Sequence, residues 1–295
     1  MSTFLFGVPA IKSHLTTSFN ASLFTVSNHS DDLSGENLKM SKSKHTPELE
    51  VTDFNVRIGN QHILKDVSLN IPDKKITCII GPSGCGKSTL LKSFNRLLDE
   101  TENVQISGQI LIDGIDIYNK NTEVTSVRKK MGLLSQRPCP LPMSIIDNVT
   151  YGCRIHGLRK RKVLAQIAER QLKAVGLWEE VKDRLNSSAS KLSIGQQQRL
   201  CLARGLAVEP EFILADEATS ALDPMSSKLV EDLFVKLKEE YAIVMVTHTL
   251  RQARRIADHV IFMYLGEIIE QGPADQIFYN PTQELTKKYM EGAFS

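Results

Sequence analysis

The sequence predicts an α/β fold with a parallel sheet at its centre, and three observations predict it. The β-branched run Ile76-Thr77-Cys78-Ile79-Ile80 leads straight into Gly81-Pro82-Ser83-Gly84-Cys85-Gly86-Lys87-Ser88, which opens onto the helical pattern Leu90-Leu91-Lys92-Ser93-Phe94. That is the strand, loop and helix setting of a phosphate-binding loop, so the chain is expected to bind a nucleoside triphosphate. Phe212-Ile213-Leu214-Ala215 and Ala242-Ile243-Val244-Met245-Val246 are short, continuously apolar runs, the pattern of strands covered on both faces, and residues 224 to about 239 cross between them with a helical period. Between residue 141 and about 207 the period is helical throughout, which predicts a helical subdomain inserted into the α/β core.

Residues 1 to about 46 are rich in Ser, Thr and Asn, lack sustained periodicity and hold no Asp or Glu before Asp31. They are expected to be a disordered or non-native tail, with a transit peptide or a translation start at Met40 as open readings; Phe4-Leu5-Phe6-Gly7-Val8-Pro9-Ala10-Ile11 is too short and broken for a secretory signal. Residues 47–295 form the folded domain. Alternation through Val51, Phe54, Val56 and Ile58, renewed from Ile63 to Ile71, predicts an N-terminal antiparallel β subdomain. Residues 108–114 read as a strand ending at an Asp-Gly turn, and Met131-Gly132-Leu133-Leu134-Ser135 as another buried strand. Val163, Leu164, Ile167, Ala168, Leu172 and Val175 share one face of a helix that stops at Gly176, with Arg159-Lys160-Arg161-Lys162 as its solvated start. Ser193 and Gln196 fit a capping box at the head of the next helix.

Composition narrows the class. The chain has 295 residues, 41% hydrophobic and 24% charged, a balance that builds a sizeable globular core. No apolar run approaches the roughly 18 residues of a membrane-spanning helix, so membrane association is expected to pass through a partner. A formal charge of +2 supplies no field that argues for nucleic acid as a partner. Cys78, Cys85, Cys139, Cys153 and Cys201 are odd in number and lack metal-ligand spacing, which points to a reducing compartment and away from disulfides or zinc.

In an open parallel sheet the strands point one way, so polar residues at their carboxyl ends converge on one edge. Gly81 follows one strand, Gln136 another, Asp216 and Glu217 end a third, and His248 follows a fourth. Phosphoryl transfer to water requires a metal holder, a group that orients or deprotonates the water, and donors for charge developing on the γ-phosphate. Lys87 is expected to reach the β- and γ-phosphates, and Ser88, with Asp216 and Gln136, to serve the magnesium ion. Glu217 is the expected base, Gln136 senses metal and attacking water, and His248 bonds the γ-phosphate.

The ordered set of the phosphate loop, Gln136, Leu192-Ser193-Ile194-Gly195-Gln196, Ile213 to Glu217, Ser220-Ala221-Leu222-Asp223 and His248 resembles the ATP-binding subunits of ABC transporters. The resemblance runs from about residue 49 to 292. It implies a P-loop NTPase with a RecA-like parallel sheet core, Mg2+ as cofactor of ATP, and nucleotide contacts from Gly81 through Thr89. It further implies a head-to-tail homodimer in which Ser193, Ile194, Gly195 and Gln196 act on the nucleotide of the second copy, with Asp223 at the seam. Gln136-Arg137-Pro138-Cys139-Pro140-Leu141-Pro142-Met143-Ser144-Ile145-Ile146-Asp147-Asn148-Val149, Ser93-Phe94-Asn95-Arg96 and Gln196-Gln197-Gln198-Arg199 are similar to the phosphate-import branch. That branch implies ATP-driven phosphate uptake through two transmembrane permeases, an extracytoplasmic phosphate-binding protein, and a peripheral place on the cytoplasmic face of the inner membrane. Residues 137–143 would shape the groove for the permease's coupling helix.

Three positions depart from the family pattern. Ile58 stands where an aromatic residue stacks on adenine, which predicts weaker base stacking. Ile194 replaces the first signature glycine while Gly195 is kept, so function is expected to persist. Ala218 replaces a proline after Glu217, which is expected to relax that turn and slow turnover. Three alternatives stand beside this reading: another importer's ATPase, a non-transport ABC ATPase, and an unrelated GTPase or kinase. The interval between Gln136 and Ser193 is too short for the coiled coil of a DNA-repair or chromosome-organising ATPase, and no Asn-Lys-x-Asp segment reads guanine. With few residues after Gly272-Pro273-Ala274-Asp275-Gln276-Ile277-Phe278, a C-terminal regulatory domain is not expected.

Overall fold

Inward-facing Leu49, Val51, Phe54 and Val56 build strand β1 (Leu49–Ile58), which turns through Gly59 into β2 (Gln61–Ile71). The computed structural model describes residues 48–292, and the expectations for residues 1–46 lie outside them. Strand β3 (Ile76–Ile80) is buried at every position, and helix α1 (Lys87–Phe94) leaves the loop that follows it. The strand expected near residue 108 starts earlier, as β4 (Val104–Ile112), because its first half pairs with the end of β1. Its Asp113-Gly114 turn, positive in φ at both residues, folds back into the short β5 (Ile115–Asp116). These strands form an antiparallel sheet in the order β2-β1-β4-β5.

Helix α2 (Val124–Lys130) runs into β6 (Met131–Leu134). Four helices then fill the stretch read as helical: α3 (Ile145–Ile155), α4 (Arg161–Ala174), α5 (Trp178–Val181) and α6 (Ile194–Leu206). Helix α4 buries Leu164, Ala168 and Leu172 and ends before Gly176, whose φ of 64° lets the chain reverse. The chain returns to the sheet as β7 (Phe212–Asp216), crosses by α7 (Pro224–Leu237) and enters β8 (Ala242–Val246). Beyond β8 lie elements that the sequence analysis does not assign: α8 (Leu250–Ile256), β9 (His259–Tyr264), β10 (Glu267–Pro273), α9 (Ala274–Tyr279) and α10 (Glu284–Met290).

The second sheet has the order β10-β9-β3-β8-β7-β6, with only β10 antiparallel to its neighbour. Both faces are covered, which explains the unbroken apolar runs. Ile76, Cys78 and Ile80 pack with α3, α4, α6 and α7, whereas Ile79 on the same strand packs with Leu90, Phe94 and the antiparallel sheet. Each large apolar side chain buried this way contributes about 1.5–3 kcal/mol by transfer from water. Parallel register brings Ile79 beside Val246, Asp216 beside Val246, and Ala215 beside Leu134, so four strand ends share one edge.

Candidate functional site

The phosphate loop occupies that edge. Gly81 has φ 149°, and a Cβ there would lie 2.1 Å from the Met263 carbonyl oxygen, so backbone packing alone requires glycine. Gly86 caps α1 in a left-handed conformation and has no side chain to occupy the helix's first N–H groups, which leaves them for an anion. The Lys87 ammonium donates to the Gly81 and Pro82 carbonyls at 2.8 Å each and is only 5% exposed, so it is held inside the loop it was expected to serve. Ser83 and Gly84 form the exposed tip of the loop, and Thr89 begins the partly buried wall of α1 behind it. Burial pushes the Cys85 thiol up, against the opposing pull of Lys87, which makes it a packing residue.

Two polar clusters stand beside the loop. Ser88 Oγ donates to Asp216 Oδ1 at 2.8 Å, joining α1 to the end of β7. A hydroxyl and a carboxylate beside a phosphate cradle are hard oxygen donors, suited to a divalent cation whose remaining ligands are phosphates and water. Among the described residues no group of three or more His, Cys, Asp and Glu forms a metal cage of its own. The second cluster centres on Glu217. Gln136 Nε2 donates to Glu217 Oε2 at 3.2 Å, and His248 Nδ1 lies 3.2 Å from that same oxygen. The structure thus brings together Gln136, Glu217 and His248 from three strand ends.

Glu217 has φ 47°, a region uncommon outside glycine, so its aim depends on ties to its surroundings. Its N–H donates to Val246 O at 3.0 Å, while its carbonyl accepts from Ser220 N at 3.0 Å and from Ser220 Oγ at 2.9 Å. The turn expected to be relaxed by Ala218 is therefore bonded on both sides of it. Ile58, at the position read as an adenine platform, packs its partly buried side chain against the core of the antiparallel sheet.

The Leu192-Gln196 segment heads α6. Ser193 caps α6 with the full capping box: its hydroxyl accepts from Gln196 N, and Gln196 Oε1 accepts from Ser193 N. Gln196 Nε2 donates to Glu180 at 2.7 Å, and Arg199 donates to the same carboxylate at 2.8 Å. Burial raises the Glu180 pKa, but these hydrogen bonds outweigh it and hold the group below its ordinary range. A Cβ on Gly195 would approach Ser226 Oγ of α7 to 2.7 Å, so this glycine permits the close contact of α6 with α7. Ile194 is 54% exposed. Asp223 caps α7 by accepting from Met225 N and Ser226 N, and the Ser226 hydroxyl and amide hold its carboxyl below the usual range.

Two supporting residues escape sequence reading. Gln198 is fully buried, and its Nε2 donates to Ser135 O at 3.0 Å and Ala218 O at 2.8 Å, tying the loops before Gln136 and after Glu217 to α6. Tyr289 of α10 stacks on Phe262 at 4.7 Å, and its hydroxyl lies beside the Gly81 backbone. A glutamine five positions beyond the capping Ser193 carries a weak signal at best. A tyrosine more than two hundred residues from the loop carries none, because only folding makes them neighbours.

With this geometry in place, comparison with known proteins is informative. Residues 64–220 match the family model described as "ABC transporter". Over 246 residues the chain is 50% identical to the phosphate import ATP-binding protein PstB of Thermotoga maritima, covering 83% of this chain and 98% of that protein. Among solved structures it is similar to cbiO1 from Clostridium perfringens, part of the ABC transporter complex cbiONQ, with TM-score 0.70 and 27% identity over 80% of this chain and 92% of that one. A bacterial Atm1-family ABC exporter with ATP bound shares the fold at TM-score 0.68 and 23% identity, covering 85% of this chain and 42% of the exporter.

Proposed function

The chain belongs to the ABC transporter family, and from that premise we propose that it is the ATP-hydrolysing subunit of an importer of inorganic phosphate. The observation that carries the reading is the convergence of Gln136 and His248 on Glu217, beside the Ser88–Asp216 pair and the phosphate loop. Lys87 and the N–H groups at the head of α1 hold the β- and γ-phosphates. Ser88 and Asp216 would hold Mg2+, directly or through its waters, and the bound ion neutralises phosphate charge. Glu217 takes the proton of the attacking water, Gln136 orients that water, and His248 donates toward the γ-phosphate.

In this reading two copies meet head to tail. Ser193 and Gly195 of each copy, flanked by Ile194 and Gln196, meet the γ-phosphate bound by the other, and Asp223 lies at the seam. Support comes from the capped head of α6, which presents Ser193 and an Ile194 that is 54% exposed at the surface. Hydrolysis removes the γ-phosphate contacts and loosens the pair. The partners are two transmembrane permeases, with an extracytoplasmic phosphate-binding protein delivering cargo to them. The subunit sits peripherally on the cytoplasmic face of the inner membrane, and no helix among the described residues is long and apolar enough to span a bilayer.

Membranes bearing the full complex should take up labelled phosphate only with ATP, and uptake should vanish for Lys87→Ala and Glu217→Gln. ATP turnover that survives Glu217→Gln would remove the catalytic reading. Uptake of a different solute, with phosphate neither carried nor competing, would remove the cargo.

A further inference from the structure

The loops that carry Glu217 and His248 share an inner tie made by residues the site itself does not use. Thr219 lies just beyond Glu217 and Thr247 just before His248, and both are buried. Between them stands Gln252 of α8, 5% exposed. Its Nε2 donates to Thr219 Oγ1 at 2.7 Å and to Glu231 Oε1 at 3.1 Å, while its Oε1 accepts from the Thr247 hydroxyl at 2.8 Å. Thr247 Oγ1 in turn accepts from Thr249 N at 3.1 Å, so the hydroxyl proton is committed to Gln252. Glu231 of α7, almost fully buried, receives Arg255 on both oxygens at 2.8 Å each.

These donors and acceptors fit in one direction only. Turning the amide over would set Oε1 against the Glu231 carboxylate and an N–H against the committed Thr247 proton. A buried polar group costs free energy unless every partner matches, and here the amide's two protons and its carbonyl oxygen are matched. The junction therefore specifies one spacing of the two loops. Because Glu217 is held at φ 47°, its aim depends on such external ties.

We propose that Gln252 is a positioning residue for ATP hydrolysis: through Thr219 and Thr247 it sets the distance between two loops, and so the 3.2 Å approach of His248 to Glu217. The inference deepens the functional reading above and rests on it. The hydrogen bonds of Gln252 run to Thr219, Thr247 and Glu231 and none to the phosphate loop, so its loss should act on turnover and leave ATP affinity alone.

The test measures steady-state ATPase kinetics and binding of a fluorescent ATP analogue on the full chain, normalised to folded protein. Gln252→Leu should lower kcat by about tenfold or more, as displaced catalytic groups do, with the Kd for the analogue within about twofold of wild type. If that variant does not fold, Thr219→Val, which removes the bond to Gln252, and Thr247→Val, which removes the bonds to Gln252 and Thr249 N, change volume little and should lower kcat in the same selective way. Thr219→Ser and Thr247→Ser, which restore the hydroxyl, should return it. Unchanged kcat in Gln252→Leu or in both valine variants overturns the proposal, as does a loss of ATP affinity in step with kcat. Glu217→Gln serves as the control: turnover that survives it overturns the site reading and this inference together, whereas an arrested control with unchanged Gln252 and threonine variants overturns this inference alone.

Discussion

Gln136 and His248, from loops after two different strands, reach the same oxygen of Glu217 at 3.2 Å each. One carboxylate oxygen thus gathers a neutral amide donor and an imidazole nitrogen, which fixes its direction while the other oxygen stays open to a water. His248→Ala should lower ATP turnover about 100-fold with little change in ATP affinity, since its donor matters most as charge develops on the γ-phosphate. Single-turnover hydrolysis and equilibrium binding check this, and a parallel fall in both would assign His248 to ground-state binding.

The Ser88–Asp216 hydrogen bond at 2.8 Å predicts the metal's behaviour. Chelation with EDTA should abolish turnover, and Ser88→Ala should raise the Mg2+ concentration for half-maximal rate by about tenfold, because one hard oxygen donor is lost. Titration of Mg2+ at saturating ATP measures it; an unshifted midpoint would place the cation elsewhere.

Gly81 and Gly195 are both tight, but against different neighbours. Gly81→Ala drives a Cβ into the Met263 carbonyl at 2.1 Å, which the sheet cannot relieve, so thermal stability and ATP binding should both fall. Gly195→Ala meets the Ser226 hydroxyl at 2.7 Å, which can rotate away, and the Ser226 Cβ at 3.0 Å, which needs a shift of only a few tenths of an ångström between two helices. Its melting midpoint should shift little, while turnover falls through the proposed contact with the second copy. Thermal melting and turnover on both variants separate the cases.

Gln198→Leu leaves two loop carbonyls, Ser135 O and Ala218 O, without their donor. The cost should be about 1–3 kcal/mol for each carbonyl that stays dry. Denaturant unfolding would reveal it, and a variant as stable as wild type would mean that the carbonyls find other partners.

Glu270 supplies a pH prediction. Burial raises its pKa, but the neighbouring Thr286 side chain and hydrogen bonds from the Thr282 hydroxyl, Thr282 N and Gln283 N outweigh this and leave it below its ordinary range. A depressed folded pKa contributes stability that is present above the unfolded pKa and is lost as pH falls through the folded one. Below the carboxylate range, α10 should therefore loosen at its start, and with it the Tyr289 contact to Gly81. Hydrogen exchange of residues 284–290 should speed up on acidification in the wild type and be fast and pH-independent, beyond the intrinsic trend, in Glu270→Gln.

What the sequence determined by itself was local. Strand β3, the glycine loop and α1 are contiguous, so sterics and hydrogen bonding along a few residues specify them, as they do the Ser193–Gln196 capping box and the βαβ unit of β7, α7 and β8. Chain direction in a parallel sheet was enough to place Gln136, Glu217 and His248 on one edge before any coordinates. Tertiary structure alone decided that β9 lies beside β3, that Tyr289 reaches Gly81, and that Gln198 and Gln252 tie the loops at the sheet edge from within. Those pairings join residues far apart in the chain, and a buried glutamine reads in sequence like any surface one. Which groups are withdrawn from water, and so must find partners, is set only when the layers close.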